Sequence, residues 1–212
     1  MAWPTASDVA TRAGATLSSA EWTTTAAVSS LLTNAKALAA AHCGRDPRYG
    51  FDEASVTEKL DGGCLTIPVI HPPIQGSATV VWDTDTLSES NEEFYAYDDY
   101  IRIVESDKDD LEPATVRPRY RKYVTLTYTG GFSDSTSGAR AIPTELKDVV
   151  LEMATRALMK IDQQYRQDGN PKKLQVGEYN VTWKEDDVLF SDLLRRLDRL
   201  GGSVNVFAGA IA

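Results

Sequence analysis

Two histidines and two cysteines, His42, Cys43, Cys64 and His71, are the side chains best suited to hold a transition metal or to supply a nucleophile. Their spacing suits neither task. His42 and Cys43 are adjacent and would point to different faces of a helix, whereas structural zinc sites pair ligands about two to four residues apart. The expectation is a half-buried histidine at a helix end and small apolar cysteines, with no metal. Cys43 at a helix end and Cys64 in a strand make no disulfide framework and read as free thiols. A serine or cysteine nucleophile would sit on a sharp turn such as GxSxG with a histidine and an acid at hand, and no such elbow occurs. Gly130-Gly131 follow a strand and precede a helix, as phosphate loops do, yet no Gly-Lys-Ser/Thr follows and the helix begins roughly a dozen residues later. They read as a turn. The acidic clusters Asp107, Asp109, Asp110 and Glu185, Asp186, Asp187 lack the spaced alternation and closing glutamate of a calcium loop, and read as solvated charge. No catalytic residue, cofactor or metal ligand is expected.

What remains is surface. Tyr95, Tyr97, Tyr100, Tyr120, Tyr123 and Tyr128 lie on or beside alternating stretches, where tyrosine packs a sheet but is also enriched at interfaces; packing takes the larger share. Ser203 to Ala212 carries no charged side chain and holds Val204, Val206, Phe207 and Ile211 after a Gly201-Gly202 break. Such a segment is either a frayed end or an arm that orders against a partner, and those four residues are the candidate partner-binding set.

The composition sets bounds on both readings. With 212 residues, 42% hydrophobic and 25% charged, the chain can build one large or two small cores. A net charge of -9 argues against gripping a polyanion, since nucleic-acid affinity rests on Lys and Arg neutralising phosphates. No stretch approaches the roughly 20 apolar residues of a membrane span, and no signal peptide is expected at the N-terminus.

The elements that position these residues follow from periodicity. Thr5-Ala6-Ser7-Asp8 predicts a capped helix ending at Gly14, and Ser18-Ser19-Ala20-Glu21 is a second capping box with a Leu17–Trp22 staple. The helix from there has Val28, Leu31, Leu32, Ala35, Leu38, Ala39 and His42 on its expected buried face, closed by Gly44. From Phe51 the period becomes two. Val56–Leu60, Cys64–Ile67, Thr79–Trp82, Phe94–Tyr97, Tyr100–Val104 and Lys122–Tyr128 predict six strands of a small sandwich or barrel. Asp61-Gly62-Gly63 reads as a hairpin turn, Asp83-Thr84-Asp85 and Asp98-Asp99 as turns, and His71-Pro72-Pro73-Ile74 as an extended connection. Glu105–Asp110 and Pro113–Pro118 are expected in exposed connections between strands. Pro143 opens the longest helix, with Leu146, Val149, Val150, Met153, Ala154, Ala157, Leu158 and Ile161 on one face. This helix and the alanine-rich one are expected to pack on each other, burying Leu158 and Leu31. After the Asp168–Pro171 stop, Leu174–Trp183 has strand character, and Ser191 and Asp192 predict the cap of a final helix bearing Leu193, Leu194, Leu197 and Leu200.

The run VTLTYTGGF, a short variable loop, then IPTELKDVVLEMATRALMK resembles the C-terminal part of the small head-tail connector (adaptor) proteins of tailed bacteriophages. TASDVATRAG, LSSAEW and the following alanine-rich helix resemble that family's N-terminal helices, and VGEYNVTW with the leucine-rich helix its C-terminal hairpin and helix. The pattern from EKLDGG to HPPI and the Tyr-rich strands resembles the β-domain of the longer members. The expected fold is therefore α+β. Residues 1–50 and 133–202 form a helical module from both chain ends, 51–132 an inserted antiparallel β-domain, and 203–212 an apolar tail. The resemblance implies a non-enzymatic structural protein of the virion, assembled in the host cytoplasm. It implies a ring of twelve copies that joins the portal protein to the next neck or tail protein, with DNA passing through the channel without sequence-specific binding. It also implies that the tail is a docking arm. The alternative that the residues leave open is a β-sandwich ligand-binding module or small hydrolase with helical flanks, in which His71, Asp61 and the tyrosines would converge in one pocket.

Overall fold

A computed structural model describes residues 2–17, 23–61, 66–82, 85–104, 123–134, 140–168 and 187–200. The chain divides into two compact units. One combines Met1–Pro47 with Ile142–Gly201, and the other holds Arg48–Ala141. The α+β class expected from the sequence is observed, with helices from both ends of the chain and antiparallel strands between them.

The helical unit contains α1 (Ala6–Ala13), α2 (Thr25–His42), α3 (Thr144–Asp168) and α4 (Asp187–Arg199). Helix α1 starts where its capping box sits: the Thr5 hydroxyl accepts from the Asp8 amide, and the Asp8 carboxylate accepts from the Thr5 amide at 2.7 Å. Gly14, at φ 65, closes it in the left-handed conformation, and the Ala15 amide returns to the Ala10 carbonyl. Helix α2 ends the same way, with Gly44 at φ 69 and the Arg45 amide on the Ala40 carbonyl. Its start differs from expectation. The described helix begins at Thr25, capped by the Thr24 hydroxyl on the Ala27 amide, because this threonine satisfies an amide that would otherwise lack a partner. The Ser18–Glu21 box and Trp22 lie outside the described residues.

Helix α3 touches the other three helices. Leu146, Val149, Val150, Met153, Ala154, Leu158 and Ile161 are buried as the spacing predicts, while Ala157 is only half-buried. Of the predicted α2 face, Val28, Leu31, Ala35 and Ala39 are buried together with Ala27 and Ala40. Leu32 and Leu38 are partly covered, and His42 is exposed, contrary to its expected place on the buried face. The alanines let α2 lie close against α3, and the larger residues fall to the flanks of that seam. Leu31 and Leu158 are both buried, as expected. Helix α4 corrects another expectation: it begins at Asp187, so Ser191 and Asp192 lie inside it and cap nothing. It packs through Phe190, Leu193 and Leu197, with Leu194 and Leu200 only partly covered.

The β unit has seven strands among the described residues, not six: β1 (Ala54–Asp61), β2 (Thr66–Pro68), β3 (Ile74–Trp82), β4 (Asp85–Leu87), β5 (Phe94–Ala96), β6 (Tyr100–Ile103) and β7 (Tyr123–Gly130). They form two antiparallel sheets, β1-β7-β3-β4 and β2-β6-β5. Strands β1 and β2 are therefore not the hairpin that Asp61-Gly62-Gly63 suggested. Strand β1 pairs instead with β7 over eight residues, Ala54 to Asp61, and β2 with β6 over the three residues Thr66 to Pro68. The Asp98-Asp99 turn does join a hairpin, β5 to β6, closed by the Tyr97 amide on the Tyr100 carbonyl at 2.9 Å. The two sheets share one core: Val56, Val80, Trp82, Val124, Leu126 and Tyr128 from the first meet Ile67, Phe94, Ile101 and Ile103 from the second.

Candidate functional site

On β1 the inward positions of the two-residue period are Val56, Glu58 and Leu60, so the alternation that buries valine and leucine also buries a carboxyl. Glu58 is only 6% exposed. The Tyr128 hydroxyl donates to Glu58 Oε1 at 2.5 Å and the Ile70 amide donates to the same oxygen at 3.2 Å. The Tyr128 oxygen in turn accepts from the His71 amide at 3.1 Å, and the His71 ring nitrogen Nε2 lies 2.7 Å from the Asp52 carbonyl. Burial pushes Glu58 above the ordinary glutamate range, and its two hydrogen bonds oppose that rise without cancelling it. Burial, and then the carboxyl of Glu58, push the Tyr128 phenol up as well.

The glycine pair after β7 makes this approach possible. A Cβ on Gly130 would collide with the His71 carbonyl, and one on Gly131, which sits at φ 91, would collide with the Asp52 carbonyl and the His71 ring. Gly130-Gly131 therefore ends the strand, as the sequence suggested, but its specific task is to admit the segment 69–73. Gln75 fastens the same corner, donating to the Gly131 carbonyl at 2.6 Å and accepting from the Arg140 amide at 2.7 Å.

The other sequence candidates are dispersed. His42, in the helical unit, faces Asp198 of α4 at 2.8 Å. Cys43 is buried beside it in sequence, and burial pushes its thiol up to about 11, which leaves little thiolate for chemistry. His71 belongs to the β unit and is fully buried. Among the described residues no group of three or more His, Cys, Asp or Glu could hold a metal ion. Cys64, the clusters at 107–110 and 185–186, Tyr120, the hairpin region Leu174–Trp183 and the tail residues Val204, Val206, Phe207 and Ile211 lie outside the described residues. His71 and Tyr128 do meet, but in the protein interior, while Tyr95 and Tyr97 are 39% and 42% exposed. Tyr97 stacks on Tyr100 with ring centres 4.5 Å apart, making an aromatic surface at the β5–β6 turn. The exposed tyrosines thus stand apart from His71 and Tyr128, which are buried.

Sequence reasoning missed Glu58, and the available signal was a charged residue at an inward strand position between Val56 and Leu60. It also missed the charge bridges of the helical unit. Arg12 meets Glu152 at 2.9 Å, and Arg156 meets Asp192 through two parallel contacts at 2.7 and 2.9 Å, so α1, α3 and α4 are tied along one face. Each such exposed pair contributes at most about 1 kcal/mol and serves orientation more than stability. Near the start of α1, a groove of about 540 Å³ is lined by Trp3, Leu17, Leu32 and Val150, with the Lys36 ammonium 4.3 Å from the centre of the Trp3 ring.

No helix among the described residues is long and apolar enough to cross a membrane. No protein-family model matches this sequence, and no curated protein does. Among solved structures the chain is similar to one described as the neck of an empty GTA particle computed with C6 symmetry. The identity is 14% and the TM-score 0.44, over 91% of this chain and 87% of that one. A likeness this distant assigns no role by itself.

Proposed function

We propose that this chain is a non-enzymatic structural protein of a tailed-phage virion, a head-tail connector whose copies form a ring between the portal and the next neck or tail protein. The observation that carries the reading is the fold of the segment with the clearest family resemblance. VTLTYTGGF forms β7 and its glycine turn, and IPTELKDVVLEMATRALMK forms the helix on which α1, α2 and α4 pack. In this reading the ring has twelve copies, and the net charge of -9 keeps the channel wall from holding DNA as it passes. The exposed tyrosines at the β5–β6 turn supply contact area to a neighbour at low side-chain entropy cost. The apolar residues Val204, Val206, Phe207 and Ile211 act as the docking arm, and burying each against a partner contributes roughly 1.5 to 3 kcal/mol before ordering costs.

Deletion of residues 203–212 tests the arm. The truncated protein is expected to melt at the same temperature as the full chain, yet to leave DNA-filled heads without attached tails. Infectious particles at normal yield from the truncated protein would remove the arm from the mechanism.

A further inference from the structure

The crossover from β2 to β3, residues 69–73, is a strap fastened at both ends. The Val69 and Ile74 amides reach the carbonyls of Asp99 and Asp98, and the Pro73 carbonyl accepts from Gly131. Between these ends the two amides of Ile70 and His71 terminate on side chains, one on Glu58 Oε1 and the other on the Tyr128 hydroxyl, which itself donates to Glu58 Oε1. One carboxyl oxygen is therefore the hub of the strap's middle. The second oxygen, Oε2, is buried and has no hydrogen-bond partner among the described residues. As a carboxylate it would place charge on a buried oxygen with no protein donor, whereas as a carboxylic acid it carries the proton while Oε1 still accepts from both donors.

We propose that Glu58 is held as a neutral carboxylic acid and acts as a proton-dependent latch, so that loss of its proton opens the 69–73 strap and admits water to Oε2. The groups around it make this carboxyl the titrating element. Tyr128 faces it from β7, and His71 lies on the strap with its ring 5.1 Å from that of Tyr49. Lys59, next to it on β1, is exposed on the opposite side of the strand. Among the described residues no charged side chain hydrogen-bonds or ion-pairs with Glu58. The strap is the element that yields, because β1 is held to β7 by a continuous eight-residue register, whereas the strap's Ile70 and His71 amides end on two side chains that meet at Glu58. The raised folded-state value fixes the direction: stability is complete below the unfolded-state range of glutamate and is lost as the pH rises through the folded value. This inference is independent of the connector reading.

Hydrogen exchange at the Ile70 and His71 amides tests it, with wild type and Glu58→Gln compared at the same pH from about pH 3 to about pH 9. The amide variant keeps the Oε1 acceptor and cannot ionise. Equal rates are expected below the unfolded-state range of glutamate, with wild type exchanging faster by about tenfold for each pH unit from there up to the folded value and by a constant factor above it. Equal rates across the whole range would overturn the latch. If Glu58→Gln does not fold, the carboxyl carbon of Glu58 in isotope-labelled wild type gives the answer by NMR titration. A carboxyl that ionises above the unfolded-state range of glutamate, with faster exchange at Ile70 and His71 as it does so, supports the proposal. Ionisation within the unfolded-state range of glutamate, or ionisation without faster exchange, overturns it.

Discussion

The two units are stabilised by different means. In the helical unit the buried side chains are mostly apolar; Arg45 and Thr155 are the buried polar ones among the described residues, and the Thr155 hydroxyl is satisfied inside its own helix by the Leu151 carbonyl at 2.7 Å. In the β unit the core includes Glu58, His71 and Gln75, and each reaches across to another segment of chain. A helix closes its own backbone hydrogen bonds, so its packing is free to be apolar and tolerant. Short strands joined by a proline-rich crossover leave backbone groups that only buried polar side chains can satisfy, and such a network is exacting. The helical unit is thus specified by spacing, and the β unit by a few irreplaceable contacts.

That contrast can be broken by substitution. The largest effect is expected from Leu158→Ala, which leaves a cavity under the fully packed face of α3 and should cost about 2 to 5 kcal/mol, read from denaturant midpoints at constant slope. An unchanged midpoint would remove α3 from the core. Gly131→Ala should cost about 1 to 3 kcal/mol although it adds a single methyl, because that methyl meets the Asp52 carbonyl at a positive φ. A loss as small as that of an ordinary surface substitution would show that the strap is loose. Smallest is Thr5→Ala, which removes the α1 cap and should cost about 0.5 to 2 kcal/mol, measured by thermal melting.

The same contrast explains what was legible in the sequence. The cap of α1, the glycine ends of α1 and α2, and the apolar face of α3 depend on residues within a turn or two of each other, and each stands where local chemistry places it. The start of α4 was misread because Ser191-Asp192 looks like a cap. Asp192 is instead taken by Arg156, 36 positions earlier, and nothing local announces that partner. Strand β4 has no strand signature in Asp85-Thr86-Leu87 and exists because β3 offers Trp82, Val81 and Val80 to pair with. The pairing of β1 with β7 rather than β2 follows from a ladder about seventy residues away, as Glu58 opposite Leu126 shows. The site at Glu58 joins residues 52, 58, 70, 71 and 128, which the fold alone brings together.

The central claim is that this chain stands between head and tail, and electron microscopy of purified particles labelled with an antibody against it tests that directly. The account predicts label at one capsid vertex, at the junction with the tail, on every complete particle. Label spread over the capsid or along the tail, or particles that carry none of this protein, would contradict it.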